Sequence, residues 1–355
     1  MTTAISVVDL LKNAPGKHGC TGVFVIAVAA REQAEQCATV PVVKTDVVLG
    51  QLELALPSGL EHDVPAGLMY HYTHGEAGLE GILRNKVVWA TQFEHLNDKS
   101  ELVEGDRLVH EVAVELNAVK GLSKLQTLIR ERFLEKQQAM AVSTLMREIC
   151  VASFSEAADE ISQWREYGGR GAGYSLGLRF IYVDQSGTLQ SHVGAVFKRM
   201  EYDAGVSRAT IREGLEGAFE RLERFAAQRS GNLRPEQFDK MMHKGMQLCH
   251  HRAGAMALSV KHSGFKVEQE WRAIAMPRHN APGRTMKTRL GANGLPVPYV
   301  ELPLVAHATS RVALEELWVG PTADAQARAV KARALVESLG YSPEVVKLSK
   351  MPIRG

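Results

Sequence analysis

The chain has 355 residues, a formal net charge of +2, 45% hydrophobic residues and 23% charged ones. Such a balance supports a sizeable globular core and excludes a global field that would pull the whole molecule onto nucleic acid or membrane. The four cysteines, Cys20, Cys37, Cys150 and Cys249, are scattered without a C-x-x-C pair, which speaks against a zinc cluster or a disulfide framework and fits a reducing compartment.

The N-terminus lacks the basic start and apolar run of a signal peptide, and no stretch approaches the ~20 apolar residues of a membrane span. A cytoplasmic protein without membrane contact is expected. Residues 1–66 read as a small β-rich extension. Gly22–Ala30 and Val40–Leu56 are rich in valine, which favours strands, and Ala55–Gly67 reads as a linker with Pro and Gly at both ends. Residues 67–355 read as one α+β domain.

Within that domain, LMYHYT (Leu68–Thr73) reads as a short strand. A helix follows, with Leu79, Ile82 and Leu83 at helical spacing, and then the strand VVWAT. Residues 101–147 and 207–257 carry helical periodicity and read as insertions. Glu148–Ser155, Tyr174–Phe180, Gly194–Asp203 and Phe265–Met276 read as strands, followed by VPYVELPL. The tail, residues 312–350, reads as strand, helix, strand. Gly320 and Pro321 at that helix start form either a plain turn or an anion site.

Several polar residues exceed what a core requires. His71 stands between Tyr70 and Tyr72 on the first strand. Asn97, Asp98 and Glu101 form either a capping box for the next helix or a second clamp on a ligand. Trp164 and Tyr167, three apart, share one face of a short helix before the GGRGAG turn, and form either a slot for a flat ring or ordinary packing. The glycine run lacks the G-K-[ST] ending of a phosphate loop and precedes a strand, so it is no dinucleotide fingerprint. On a strand, Glu268, Glu270 and Arg272 would share one face, either as a solvated edge or as a site that wants charge. There is no H-E-x-x-H and no G-x-S-x-G.

The pieces YHYT, GLEGILRNKVVWAT, LNDKSE, CVASFS, QWREYGGRGAGYSLGLRF, VEQEWRAI and the tail ELWVGP…GYSPEVVKLSKMPIR resemble the bacterial domain-of-unknown-function family numbered 2971, from about Leu68 to Arg354. A more distant resemblance is to ADP-ribosyltransferases. It is carried by the histidine with Thr73 on a first strand, a Ser or Tyr on a middle element and a late E-x-E. That resemblance implies a split mixed or antiparallel sheet with NAD in the cleft between its halves, and no metal.

It also implies residue roles. His71, with Tyr72 and Thr73 as the wall, would hold the NAD ribose. Tyr167 or Tyr174, with Trp164 nearby, would stack on nicotinamide. Ser155 matches the middle-strand serine of one branch. Asn97 and Arg272 would assist in binding. Glu270 would stabilise the sugar cation, and Glu268 would orient the acceptor or take its proton. The acceptor is left open among protein, nucleic acid, small molecule and water.

Bacterial relatives suggest a toxin or phage-defence setting, with partner proteins of a defence or toxin–antitoxin system. A different expectation is a non-catalytic module that senses a nucleotide or nucleic acid. It draws on Lys261, Lys266, Arg272, Arg278, Arg284, Lys287 and Arg289 around the E-x-E. A metal-independent nuclease is the third.

Overall fold

A computed structural model describes residues 45–55, 63, 65, 67–96, 100–139, 149–179, 181–183, 189–191, 195–275, 285–291, 294–305 and 312–352. The first elements in chain order are α1 (Thr45–Ala55), β1 (Met69–Thr73), α2 (Gly75–Asn85), β2 (Val87–Gln92), α3 (Ser100–Asn117) and α4 (Lys124–Ala139). Next come β3 (Cys150–Ser155), α5 (Ile161–Glu166), β4 (Tyr174–Leu178), β5 (Ile181–Val183), β6 (Leu189–Ser191) and β7 (Val196–Arg199). Then follow α6 (Ala204–Arg229), α7 (Pro235–Ala257), β8 (Glu270–Ala275), β9 (Lys287–Leu290) and β10 (Pro296–Pro303). The chain closes with β11 (Leu314–Val319), α8 (Ala325–Ser338) and β12 (Val346–Leu348). This is an α+β fold. Among the described residues, no helix is long and apolar enough to cross a membrane.

The chain divides into two compact units. One comprises Met1–Gly59, Asp106–Val142 and Arg208–Met256. The other comprises Leu60–Gly105, Ser143–Ser207 and Ala257–Gly355.

The first unit is helical in its described residues. Val112, Leu116, Ile129, Phe133, Leu215, Phe219 and Leu222 are buried, at spacings that place them on inward helix faces. Phe133 meets Phe219 edge to face at 5.1 Å and stacks on His250 at 4.2 Å. Thr45–Ala55 is a helix, which corrects the strand expected over Val40–Leu56. The valines there favour β structure, but Val48 and Leu52, one turn apart, are the buried pair, so burial overrides propensity. Gly22–Ala30 lies outside the described residues.

The second unit is built on a ten-stranded mixed sheet. Its main path runs β12-β11-β4-β1-β3-β2-β10-β9, and β8 lies between β3 and β7. The β11–β12 pair is parallel and the other pairs are antiparallel. β5 and β6 form a separate two-stranded ribbon.

The sheet divides at β1 and β3. β1 pairs with β4 along its whole length, from Met69↔Leu178 to Thr73↔Tyr174. β3 pairs with β8 along its whole length, from Cys150↔Ala275 to Ser155↔Glu270. Between β1 and β3 the register is the single pair Tyr70↔Ser155. β2 meets β3 at the opposite end, through Thr91↔Val151 and Gln92↔Cys150. The middle of β3, from Ala152 to Phe154, therefore has an edge that no strand occupies among the described residues.

The faces follow the period-two alternation. Met69, Phe154, Tyr174, Leu176 and Trp271 join one core, closed by Leu79 and Leu83 of α2 and by Ala329, Ala332 and Val336 of α8. Tyr70, Tyr72 and Trp164 form a smaller cluster on the other face. Close backbone approach requires glycine at position 173. A Cβ on Gly173 would lie 2.2 Å from the Thr73 carbonyl oxygen and 2.7 Å from that of Gly168.

The strand expected over Phe265–Met276 begins later. Ser263–Glu268 is a 3-10 turn, Gln269 takes the left-handed conformation at φ 45°, and the strand starts at Glu270. Glu268 and Glu270 are thus brought together by a turn and not by strand alternation.

Candidate functional site

The open edge of β3 borders a cavity of about 570 Å³ that lies wholly within the sheet unit. That size falls in the ~300–1,000 Å³ range of small-molecule and cofactor pockets. His71 and Phe154 line it from the α2 side, while Tyr72, Tyr167, Glu270 and Arg272 line it from the other. The cavity therefore passes through the gap in the sheet. His71 and Glu270, about two hundred positions apart, face the same space.

His71 is placed by the gap itself. Its Nδ1 lies 3.0 Å from the Ser153 carbonyl oxygen, on the edge of β3 that has no strand partner among the described residues. A carbonyl only accepts, so Nδ1 carries the proton and donates, and Nε2 keeps its lone pair as an acceptor. Burial lowers the His71 pKa, and the bond to Ser153 opposes this only in part. The imidazole is neutral at physiological pH, suited to receive a hydroxyl proton in a hydrogen bond.

The floor is a buried group of four charges. Lys261 Nζ lies 2.6 Å from Glu268 Oε2 and 2.7 Å from Glu270 Oε2. Arg272 holds Glu270 through Nε at 3.1 Å and Nη2 at 3.2 Å, and donates from Nη1 to the Leu258 carbonyl at 3.0 Å. All four side chains are buried. Two carboxylates and two cations sum to zero, which is how such a group is tolerated away from water. Burial would raise the Glu270 pKa, but the charges of Arg272 and Lys261 outweigh it and hold the carboxyl at about 2. Glu270 is ionised throughout the neutral range.

Ser155 stands behind this floor. Its Oγ donates to the Glu268 carbonyl at 2.6 Å and accepts from the Ala157 N–H at 3.0 Å. The Glu156 N–H donates to the Gln269 carbonyl at 3.1 Å. These bonds pin the turn that aims Glu268 inward. Ser155 itself is not on the cavity wall.

Tyr72 presents its ring to the cavity and fixes its hydroxyl behind it, donating to the Ala157 carbonyl at 2.9 Å and accepting from the Glu160 N–H at 3.2 Å. Trp164 lies behind Tyr72, edge to face at 4.8 Å, with its Nε1 donating to Asp159 at 2.7 Å. It buttresses the wall without lining it. Tyr167, at the C-cap of α5, lines the cavity. Thr73 also lines it, and only a glycine at position 78 leaves room for its hydroxyl, because a Cβ there would lie 2.3 Å from Thr73 Oγ1.

Tyr174 is buried in the core on the α2 and α8 side and is not part of the wall, whereas Tyr167 is. Asn97 and Asp98 lie outside the described residues, as does the side chain of Glu101.

The sequence reading placed Lys261 in a basic cluster around the E-x-E but not as the partner of both acids. A lone lysine seven and nine residues before two acids carries no motif, and only the turn brings it to them. It also missed Trp89 and Thr91, which line the cavity from β2. Their alternation along a half-buried strand was the available signal. Among the described residues, no three His, Cys, Asp or Glu side chains gather as a metal site would need.

Residues 163–273 match the family model described as "Protein of unknown function (DUF2971)". The matched stretch contains Tyr167, Lys261, Glu268, Glu270 and Arg272 and stops short of β1 with His71. No curated protein matches the chain, and no solved structure does.

Proposed function

We propose that the cavity binds NAD and cleaves its nicotinamide–ribose bond, as an ADP-ribosyltransferase or NAD glycohydrolase would. One observation carries this reading: His71 and Glu270 meet across a cavity at the division of the sheet. His71 Nε2 accepts a ribose hydroxyl, and Tyr167 offers its ring to nicotinamide. As the C1′–N bond breaks, its electron pair leaves with neutral nicotinamide and positive charge grows on the sugar.

An ionised Glu270 favours that charge more than the ground state. Two unit charges ~4 Å apart interact by roughly 4 kcal/mol at an effective dielectric of 20, about a thousandfold in rate. Lys261 and Arg272 offset part of this. They keep Glu270 ionised and oriented, and Glu268 stands beside it to take the proton of an incoming hydroxyl. A toxin or phage-defence setting rests on resemblance alone.

A second reading is favoured by the floor itself. Both glutamates are already paired with cations, which suits a module that holds a nucleotide without cleaving it. Incubation with NAD separates the two. Free nicotinamide, abolished by Glu270→Gln and reduced by His71→Ala, supports cleavage. NAD binding by calorimetry without nicotinamide release supports the binding module. Neither binding nor release refutes both.

A further inference from the structure

The outer wall of the cavity carries a charge that no ion pair answers among the described residues. β2, β10 and β9 place Trp89, Thr91, Tyr299, Glu301, Lys287 and Arg289 on one face, through the pairs Tyr299↔Thr91, Glu301↔Trp89, Tyr299↔Lys287 and Val297↔Arg289. Lys287 is neutralised by Glu301 at 2.7 Å. Arg289 forms no ion pair among the described residues. Its Nη2 donates to Thr91 Oγ1 at 3.2 Å, and its Nε is buried with no acceptor among the described residues. A buried guanidinium N–H left without a partner is costly unless a ligand completes it.

Two further features point the same way. Trp89 is 47% exposed, an unusual state for so large an apolar ring, and it lines the cavity with Thr91 and Arg289. The Arg289 guanidinium sits 5.3 Å from the Trp89 ring centre, and Tyr299 supports the ring at 4.9 Å. The cavity floor sums to zero charge and His71 is neutral, so Arg289 is the excess positive charge on the described wall. Its planar fork suits phosphoryl oxygens.

We infer that Arg289, Thr91 and Trp89 form the subsite for the phosphorylated end of a nucleotide. Arg289 and the Thr91 hydroxyl bind a phosphoryl oxygen, and the base lies on the exposed Trp89 ring. The His71 and Glu270 end is left for the reacting sugar. This rests on the reading that the cavity takes a nucleotide, but not on cleavage.

The test is calorimetric binding of ADP-ribose, ADP and adenosine to wild-type protein, Arg289→Ala, Arg289→Gln and Trp89→Ala. Arg289 lies on an edge strand and is partly exposed, and thermal melting checks that each variant is folded. Loss of a charge-assisted bidentate contact predicts about a 10- to 100-fold weaker affinity for ADP and ADP-ribose in both Arg289 variants. Adenosine binding should stay within about twofold, and the salt dependence of ADP binding should flatten. Trp89→Ala should weaken adenosine and ADP alike, by about fivefold or more.

Wild-type affinity for ADP in a folded Arg289→Ala protein overturns the assignment, as does equal loss of adenosine and ADP there. Failure of wild-type protein to bind any of the three also overturns it. ADP-ribose binding that depends on Arg289, without nicotinamide release from NAD, leaves the subsite standing while cleavage fails. Nicotinamide release with a KM unchanged by Arg289→Ala does the reverse.

Discussion

Replacing Lys261 with methionine tests the four-charge floor directly. The Lys261 side chain is 2% exposed, and its Nζ touches both Glu268 and Glu270 within 2.7 Å. Methionine keeps most of the volume and removes the charge, so the floor changes from zero to one net negative charge among side chains that are almost wholly buried. Breaking a buried pair by removing one partner costs about 3–5 kcal/mol, most of it from the charge left behind.

The cost must depend on pH. Glu270 has a depressed pKa, so in the wild type its contribution is present above the ordinary 4.5 and is lost as pH falls towards about 2. In the variant the surplus carboxylate takes up a proton at much higher pH, which relieves the repulsion. Urea denaturation at about pH 8 and about pH 5.5 measures this. The variant should lose about 3–5 kcal/mol at the higher pH and clearly less at the lower. Adding Glu268→Gln removes the surplus charge, so the double variant should recover at least about 1 kcal/mol. A loss below about 1 kcal/mol at both pH values, or purely additive effects in the double variant, would refute the buried network.

Three other expectations follow from burial and from backbone contact. Burial lowers the pKa of both His71 and His250, so the unfolded chain binds more protons than the folded one below the ordinary 6.5. Stability should be full above that value and fall as pH drops beneath it. A His71→Asn/His250→Asn variant should show a flatter profile between about pH 7 and 5, and an unchanged slope counts against neutral, buried rings. Gly173→Ala places a methyl 2.2 Å from a backbone oxygen and should cost at least about 1–3 kcal/mol in thermal or urea melts. Gly81→Ala, with nothing within 4 Å and a helical position, should be neutral or stabilising by up to about 1 kcal/mol.

Much of the wall was legible in sequence because local patterns specify it. Tyr70-His71-Tyr72-Thr73 alternates as a strand must, and Leu79, Ile82 and Leu83 repeat as a helix must. The terminal strand, helix and strand were equally plain, as β11, α8 and β12 bear out. Thr45–Ala55 was misread because valine content argued for a strand while Val48 and Leu52 carried the helical spacing. The acidic stretch was misread because a left-handed Gln269 between Glu268 and Glu270 leaves no compositional mark. Arg289 reaches Thr91 across 198 positions, a tertiary contact that no local window contains. The resemblance drawn over Leu68–Arg354 is matched by the family model only over 163–273.

The single backbone register between β1 and β3 has a mechanical consequence. Tyr70 and Ser155 act as the pivot of a clamshell, with one jaw ending in His71 and the other in Glu270. Within the sheet, spreading the jaws strains one rung and leaves every other ladder whole, and outside the ladders it parts the His71–Ser153 and Tyr72–Ala157 bonds that span the same division. The Ser155 hydroxyl, bonded to the turn that carries Glu268, makes the acid ride with its jaw.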